Sequence, residues 1–465
     1  MSAYNRVARS VFAPMLDLAR RTSTMRQLAF LEESQWWPLE RIRQCQSERL
    51  RKLVAHAYEH VPYYRRTMDA LGMAPNDIRS VEDITKLPVL TRQQIHGKKR
   101  LLLADNLPAT ELRPMTTSGS TGQPLAFFST REDQFTYGMA RTFRATSWAG
   151  LGIADPFALV ARPRHYRKRT DQLLHELSHV VRRMTVVDSG TLSEQTVPRI
   201  AGALARGDYK GIGGSPPVLC LIADYMLRNE TIRPTPRSLI SGGEQLLEHE
   251  RELLTDVFGT NPFSKYSSFE VFDIASECEA HSGMHIQSED VIVEAVDKNG
   301  LPVGPGHAGR LLVTNLHSYA MPFIRYEIGD LGTMDASPCA CGRALPRLVG
   351  VVGRMSELIV TPSGQLVFGA ALGLETFGPL GIRQFRIEQD ETGSVTALLE
   401  WHGESSLESR QRGEASVQRT LEAAIGDDVT IDVQSVAHIP PHPSGKHLVV
   451  TSMLASRTRG LSASD

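Results

Sequence analysis

No stretch of this chain approaches the roughly 20 consecutive apolar residues that a membrane-crossing helix requires, and no cleavable leader pattern precedes the first polar segment. A cytoplasmic protein without a membrane span is therefore expected. Neither charge is in excess: 51 Lys and Arg stand against 52 Asp and Glu. That removes the global electrostatic reason for a nucleic-acid partner, so any site that works through charge has to be local. Cysteine is scarce and odd in number, five in all, and Cys45 and Cys220 stand alone in amphipathic or apolar stretches where a buried thiol is the default. The sequence also has no internal repeat and no low-complexity tract.

What is present suffices for more than one unit. A length of 465 residues with 41% hydrophobic content supports a sizeable core plus a smaller domain. The first thirty residues are rich in Arg (Arg6, Arg9, Arg20, Arg21, Arg26) against a single Asp17, with Val7, Val11, Met15 and Leu18 at helical intervals. A helix docked on its own fold is expected there, with a membrane-surface helix or targeting peptide as alternatives. From Ser47 onward Leu50, Leu53, Val54 and Ala57 recur at i, i+3, i+4 and i+7, an amphipathic helix that ends at Val61-Pro62. Later the period shortens: Val291–Val296 and Gly309–Val313 read as strands, and Asn299-Gly300 as a turn. Beyond Gly353 a hairpin across Asp390 to Ser394, a helix near Ser406 to Ile425 and strands near Val429 and His447 make a compact α+β tail. The fold class is thus α/β, with a large N-terminal multi-layer domain over 1–352 and a smaller, mobile C-terminal α+β domain over 353–465. The last residues, from Ala455, are expected to fray.

Thr116-Thr117-Ser118-Gly119-Ser120-Thr121-Gly122-Gln123-Pro124-Leu125 packs hydroxyls and glycines into one loop. Unencumbered backbone N–H groups with Ser and Thr hydroxyls make a donor surface suited to phosphate oxygens, although a plain surface turn has the same composition. It is not a Walker loop, since Gly-Lys-Ser/Thr is missing. Four further motifs follow in order: Ser241-Gly242-Gly243-Glu244, Lys265 to Glu270, Arg325 to Asp330 with Gly353-Arg354 beyond it, and Pro443-Ser444-Gly445-Lys446. In order and rough spacing this set resembles the core motifs of adenylate-forming enzymes, and the resemblance runs from about Leu50 to Lys446. Val61-Pro62-Tyr63-Tyr64 and Leu87-Pro88-Val89-Leu90-Thr91 look more specifically like the phenylacetate–CoA ligase branch, including its capsular-polysaccharide-associated members.

The resemblance implies roles. Thr117, Ser118, Gly119, Ser120, Thr121 and Gly122 would wrap the phosphates of ATP, and Glu270 would hold Mg²⁺ beside them. Gly242, Gly243, Glu244 and Tyr266 would line the adenine slot, with Ser267 and Arg325 counted in the same nucleotide-binding set. Asp330 would accept both ribose hydroxyls, which one carboxylate can do. Arg354 would sit at the domain junction near the ribose or α-phosphate, and Lys446 would reach in from the small domain. Elementary chemistry agrees: attack of a carboxylate on the α-phosphorus builds negative charge that a Lys and Mg²⁺ stabilise. The bland alternative for Asp330 and Arg325 is an ordinary turn and salt bridge. The acyl pocket is expected around Tyr137, Arg141, Ser215, Pro216, Pro217 and Ser241.

The sequence departs from the family pattern at Gln123, where a Lys is common, at Phe269, where a hydroxyl residue often precedes the Glu, and at Met355-Ser356-Glu357, in place of an acidic hinge. Cys278-x6-His285 followed by Cys339-Ala340-Cys341 supplies three thiols and an imidazole, a Cys₃His set for structural Zn²⁺, with His281 as the competing nitrogen and free thiols as the alternative. Some members of the resembled branch carry such a zinc. Gly342 would let the C-x-C turn bend. The dense basic run 162–169 reads as a solvated loop, or as a grip on the phosphates of coenzyme A. The expected reaction is adenylation of a carboxylic acid, an aromatic one by the family resemblance, followed by thioester formation with coenzyme A. An amine or hydroxyl acceptor and a non-catalytic nucleotide-binding zinc protein remain as alternatives. A homodimer is the default for the branch.

Overall fold

The computed structural model describes residues 2–116, 125–161, 169–189, 196–335, 337–354, 358–362, 366–368, 377, 380–401, 405–426, 428–439 and 450–454. The expected phosphate loop from Thr117 to Pro124, the basic residues 162–168, the expected hinge Met355 to Glu357 and the Pro443 to Lys446 motif therefore lie outside the described residues, as does the side chain of Arg354.

The amphipathic helix read from Ser47 is longer than its apolar stripe, Leu39–His60, and buries Leu50, Leu53, Val54 and Ala57 completely. Val61 takes an extended conformation, and Pro62 opens the next helix, Pro62–Ala70, at a position where the missing N–H costs nothing. These two helices pack with Ile78, Leu87, Leu90, Phe127, Phe323 and Tyr326 into one core. A short hairpin, β1 (Arg113–Thr116) and β2 (Ala126–Ser129), flanks the phosphate loop.

The central sheet has eleven strands: β3 (Phe157–Ala161), β4 (Met184–Asp188), β5 (Gly211–Gly214), β6 (Ser238–Gly242), β7 (Phe263–Ser268), β8 (Phe272–Glu277), β9 (Met284–Ile286), β10 (Val291–Val296), β11 (Ala308–Asn315), β12 (Tyr326–Asp335) and β13 (Arg347–Arg354). Their order is β10-β11-β12-β13-β9-β8-β7-β6-β5-β3-β4. From β4 to β7 neighbours are parallel, and beyond β7 every pair is antiparallel. The parallel half is covered by helices Thr196–Arg206, Pro216–Arg228 and Glu248–Phe258, whose Ile200, Leu204, Leu219, Ile222 and Leu254 meet Ala158, Ile212 and Leu239 of the strands. The strand read as Val291–Val296 is found with those bounds, and the Asn299-Gly300 turn closes a bridge between Val296 and Pro302, with Gly300 at φ 77°.

A hairpin, β14 (Leu358–Val360) and β15 (Leu366–Phe368), leads to a separate four-stranded sheet of β16 (Ile382–Gln389), β17 (Val395–Trp401), β18 (Ile431–Val436) and β19 (Val450–Ser452), ordered β18-β17-β16-β19. The turn between β16 and β17 is tied by the Asp390 N–H to the Ser394 carbonyl, 3.0 Å. Helix Leu407–Ile425, capped by the Ser406 hydroxyl, packs Val417, Leu421 and Ile425 on Ile387, Ala397 and Leu399, so this unit has a core of its own.

Candidate active site

Three parallel strands deliver backbone to one place. The C-terminal ends of β5, β6 and β7, where open α/β sheets bind ligands, run into Gly214-Ser215, Gly243-Glu244 and Phe269-Glu270. Gly242, Gly243, Glu244 and Ser267 line a cavity of about 1520 Å³, which Arg383 of β16 and His438, just beyond β18, also line. Gly243 sits at φ 91°, a conformation that glycine alone adopts cheaply. That explains the second glycine of the Ser241 to Glu244 motif. Phe269 is 47% exposed and lines the same cavity, so the residue that departs from the family pattern presents a ring to the site.

In sheet order β7 and β12 are separated by β8, β9 and β13, roughly 19 Å apart were the sheet flat. Yet the Tyr266 hydroxyl donates to Asp330 Oδ2 at 2.6 Å. The antiparallel half therefore curls over and brings β12 against the end of β7. A second tie, Tyr326 Oη to Glu270 Oε1 at 3.0 Å, fixes the same crossing. Glu270 is 6% exposed and Tyr326 fully buried, with burial holding the phenol well above its usual pKa, so it stays a neutral donor. Tyr326 had no assigned role in the sequence reading; its place between Arg325 and Asp330 was the available signal. Gly353-Arg354 ends β13, where the Arg354 backbone pairs with Asp330. The structure thus gathers Tyr266, Glu270, Asp330 and the backbone of Arg354, with Gly242, Gly243, Glu244 and Ser267 on the adjoining wall.

Arg325 does not join them. Its guanidinium is 3% exposed and pairs with Glu294 at 2.9 Å, while donating to the carbonyls of Leu87 (2.7 Å), Gly300 (2.6 Å) and Thr85 (3.3 Å). The sequence placed it among nucleotide-binding residues; the salt-bridge alternative is what the geometry displays. Its physical reason is local: Arg325 lies just before β12, at φ 51° and so outside the strand's alternation, and its side chain meets the edge where the Leu87 to Thr91 motif docks. Leu90 bridges Tyr326, and Thr91 caps helix Arg92–Lys98 reciprocally with Gln94.

The residues expected around an acyl pocket are distributed as follows. Ser215 and Pro217 line the cavity. Ser241 is buried, and Tyr137 instead stacks on His317 with ring centroids 3.3 Å apart. Arg141 is fully buried and donates to the Val271 carbonyl at 2.8 Å.

Some distance along the sheet, β8, β9 and the loop before β13 assemble the cysteine cluster. Donor atoms of Cys278, His285, Cys339 and Cys341 all lie within 4.8 Å of one another. Cys278 and Cys339 sulfurs are 3.7 Å apart, close to the edge of about 3.8 Å for a tetrahedron with 2.3 Å zinc–sulfur arms. Cys341 Sγ lies 3.2 Å from His285 Nε2. His285 Nδ1 lies 2.9 Å from the Leu345 carbonyl, which as donor leaves the Nε2 lone pair facing the thiols. Gly342 takes φ 82° and closes the C-x-C turn with its N–H on the Cys339 carbonyl. The nitrogen gathered with the three thiols is that of His285 and not of His281, whose Nδ1 faces Glu277 Oε2 at 3.1 Å.

No family model matches the chain. Among curated proteins, the phenylacetate–coenzyme A ligase of Thermus thermophilus is 29% identical over 346 residues, covering 72% of this chain and 75% of that protein. The phenylacetate–coenzyme A ligase of Aromatoleum evansii is 28% identical over 417 residues, 85% of this chain and 90% of that one. A solved 2-hydroxyisobutyryl-CoA ligase in its postadenylation state superposes with a TM-score of 0.76 at 18% identity, covering 93% and 94% of the two chains. The ordered motifs, the α/β fold and these likenesses agree: the chain is similar to the phenylacetate–CoA ligase-like branch of the adenylate-forming enzymes, a likeness that supports an AMP-forming acid ligase.

Proposed function

We propose that this enzyme activates a carboxylic acid with ATP, releasing pyrophosphate, and passes the acyl group from the acyl-AMP to coenzyme A. The observation that carries the reading is the Tyr266–Asp330 and Tyr326–Glu270 pairing, which sets a ribose-type acceptor and a metal-type carboxylate on one curled crossing of the sheet. Asp330 accepts the two ribose hydroxyls, oriented beforehand by the Tyr266 O–H. Glycines 242 and 243 let the adenine lie close to backbone. A carboxylate has about four acceptor positions, and Tyr326 uses one on Glu270, so the rest suit Mg²⁺. Bound there, the ion would neutralise the phosphate oxygens. The acid carboxylate attacks the α-phosphorus, the bond to pyrophosphate breaks, and Lys446 stabilises the added charge from the small domain over 353–465. A swing of that domain then admits the thiol, which displaces AMP.

Likeness to coenzyme A ligases supports coenzyme A as acceptor. An amine acceptor is the second reading, favoured by likeness to a solved amide bond synthetase from Marinactinospora thermotolerans at a TM-score of 0.50. The Cys₃His cluster fits Zn²⁺ in a closed four-ligand site, which is structural because no position remains for substrate. Acid-dependent ATP–pyrophosphate exchange should fall by at least about a hundredfold in Lys446→Ala, in line with loss of a transition-state cation. An unchanged rate would remove Lys446 from the mechanism.

A further inference from the structure

The N-terminal segment is helical from Ala3 to Arg20, with a π-helical stretch at Ala8–Phe12, and runs antiparallel beside helix Arg169–Arg182. Tyr4 Oη donates to the Val181 carbonyl at 3.1 Å, and Arg20 donates to the Leu174 carbonyl at 2.9 Å. The docked helix expected from the sequence is therefore present, but it docks with its apolar stripe outward. Val7 is 44% exposed, Val11 47%, Met15 63% and Leu18 81%, while the inner side is Asn5, Ala8 and Leu16. Leu173, Leu177 and Val180 repeat the pattern on the second helix at 64%, 48% and 71%. Including Tyr4, eight of the seventeen large apolar side chains exposed among the described residues fall on these two neighbouring helices. Scattered exposed apolar side chains need no explanation, whereas a contiguous patch marks an interaction face.

Charge selects the occupant. No exposed residue of Ala3–Arg20 is acidic, since its one acid, Asp17, is held by the Thr22 hydroxyl and the Met25 N–H. Arg6, Arg21 and Arg183 are exposed around the face, against Glu176, an exposed acid of the second helix, which accepts from the Gln172 amide at 2.9 Å. A twofold dimer through this face would set one basic rim against another. An anionic bilayer instead takes both the apolar stripes and the arginines. We propose that this two-helix face docks the enzyme on an anionic lipid surface as a peripheral protein, with no segment crossing the bilayer. The inner sides of the same helices contribute Arg20, His175, His179 and Arg182 to the wall of the large cavity, so docking would present that wall towards the lipid.

The test is co-sedimentation of the full chain with vesicles of phosphatidylglycerol and phosphatidylcholine, against vesicles of phosphatidylcholine alone. Binding is expected only with phosphatidylglycerol, with release at about 0.5 M salt, where the Debye length is only a few ångströms. Leu18→Asp and Leu177→Asp, both at exposed positions, should each weaken binding by about tenfold or more while circular dichroism stays native. Leu407→Asp, at 74% exposure on the other unit, should leave it unchanged. Wild-type protein remaining in the supernatant with anionic vesicles would overturn the proposal. So would a stable dimer by light scattering that Leu18→Asp converts to monomer, because the face would then be covered by a second copy.

Discussion

Replacing Arg325 by Met separates a structural clamp from a nucleotide ligand. The guanidinium is 3% exposed and its partner Glu294 9%, and the same group serves the carbonyls of Leu87, Gly300 and Thr85. Met keeps much of the apolar stem but leaves a buried carboxylate whose pKa burial already raises against the pull of Arg325. Removing one member of a buried, hydrogen-bonded pair costs about 3–5 kcal/mol. The urea midpoint should drop on the order of 1 M, followed by far-ultraviolet circular dichroism. Adding Glu294→Gln should recover part of that loss, since no charge is then stranded. In folded Arg325→Met protein the KM for ATP should stay within about twofold of wild type, an effect worth under 0.5 kcal/mol. Unchanged stability with a tenfold higher KM for ATP would refute the reasoning and return Arg325 to the nucleotide.

Two further outcomes follow from the same geometry. Purified protein should contain about one equivalent of zinc by elemental analysis, and Cys339→Ser should lose it together with thermal stability, as expected of a closed structural site; wild-type stability in metal-free protein would make the cluster plain thiols. Glu250 is pushed up to about 7 by burial and the nearby Glu244, against the Leu247 N–H that it accepts. Its protonated form is favoured in the folded chain, so the contribution is complete below the unfolded value near 4.5 and fades as pH rises through 7. Glu250→Gln keeps the cap and should be more stable than wild type at pH 8, with the gap closing by pH 5, measured by unfolding midpoints.

Much of the fold was legible wherever period and turn chemistry agreed. Val291–Val296, the Asp390 to Ser394 hairpin and the helix capped by Ser406 all follow from local pattern, which is set within a few residues. What the chain could not announce was the curl that brings Asp330 to Tyr266, because strand order β12-β13-β9-β8-β7 is a long-range property. The same gap misplaced Arg325: motif membership put it beside Asp330, while its left-handed backbone just before β12 accompanies a side chain held by Glu294. The stripe of Val7, Val11, Met15 and Leu18 was visible as a helix, but periodicity cannot say which face a neighbour covers, and here the neighbours cover the side of Asn5, Ala8 and Leu16. At the cysteine cluster the residue types suggested the set, but spacing left both His281 and plain thiols open, and only the folded positions gather His285 with the three cysteines.

The most direct test of the central claim is ATP–pyrophosphate exchange across a panel of aryl, fatty and hydroxy acids, with thioester formation followed in parallel when coenzyme A is added. The account requires exchange that depends on at least one acid, and a thioester of that acid only when coenzyme A is present. Exchange without thioester would contradict the choice of acceptor and point to an amine or hydroxyl, and no exchange with any acid would contradict the adenylation itself.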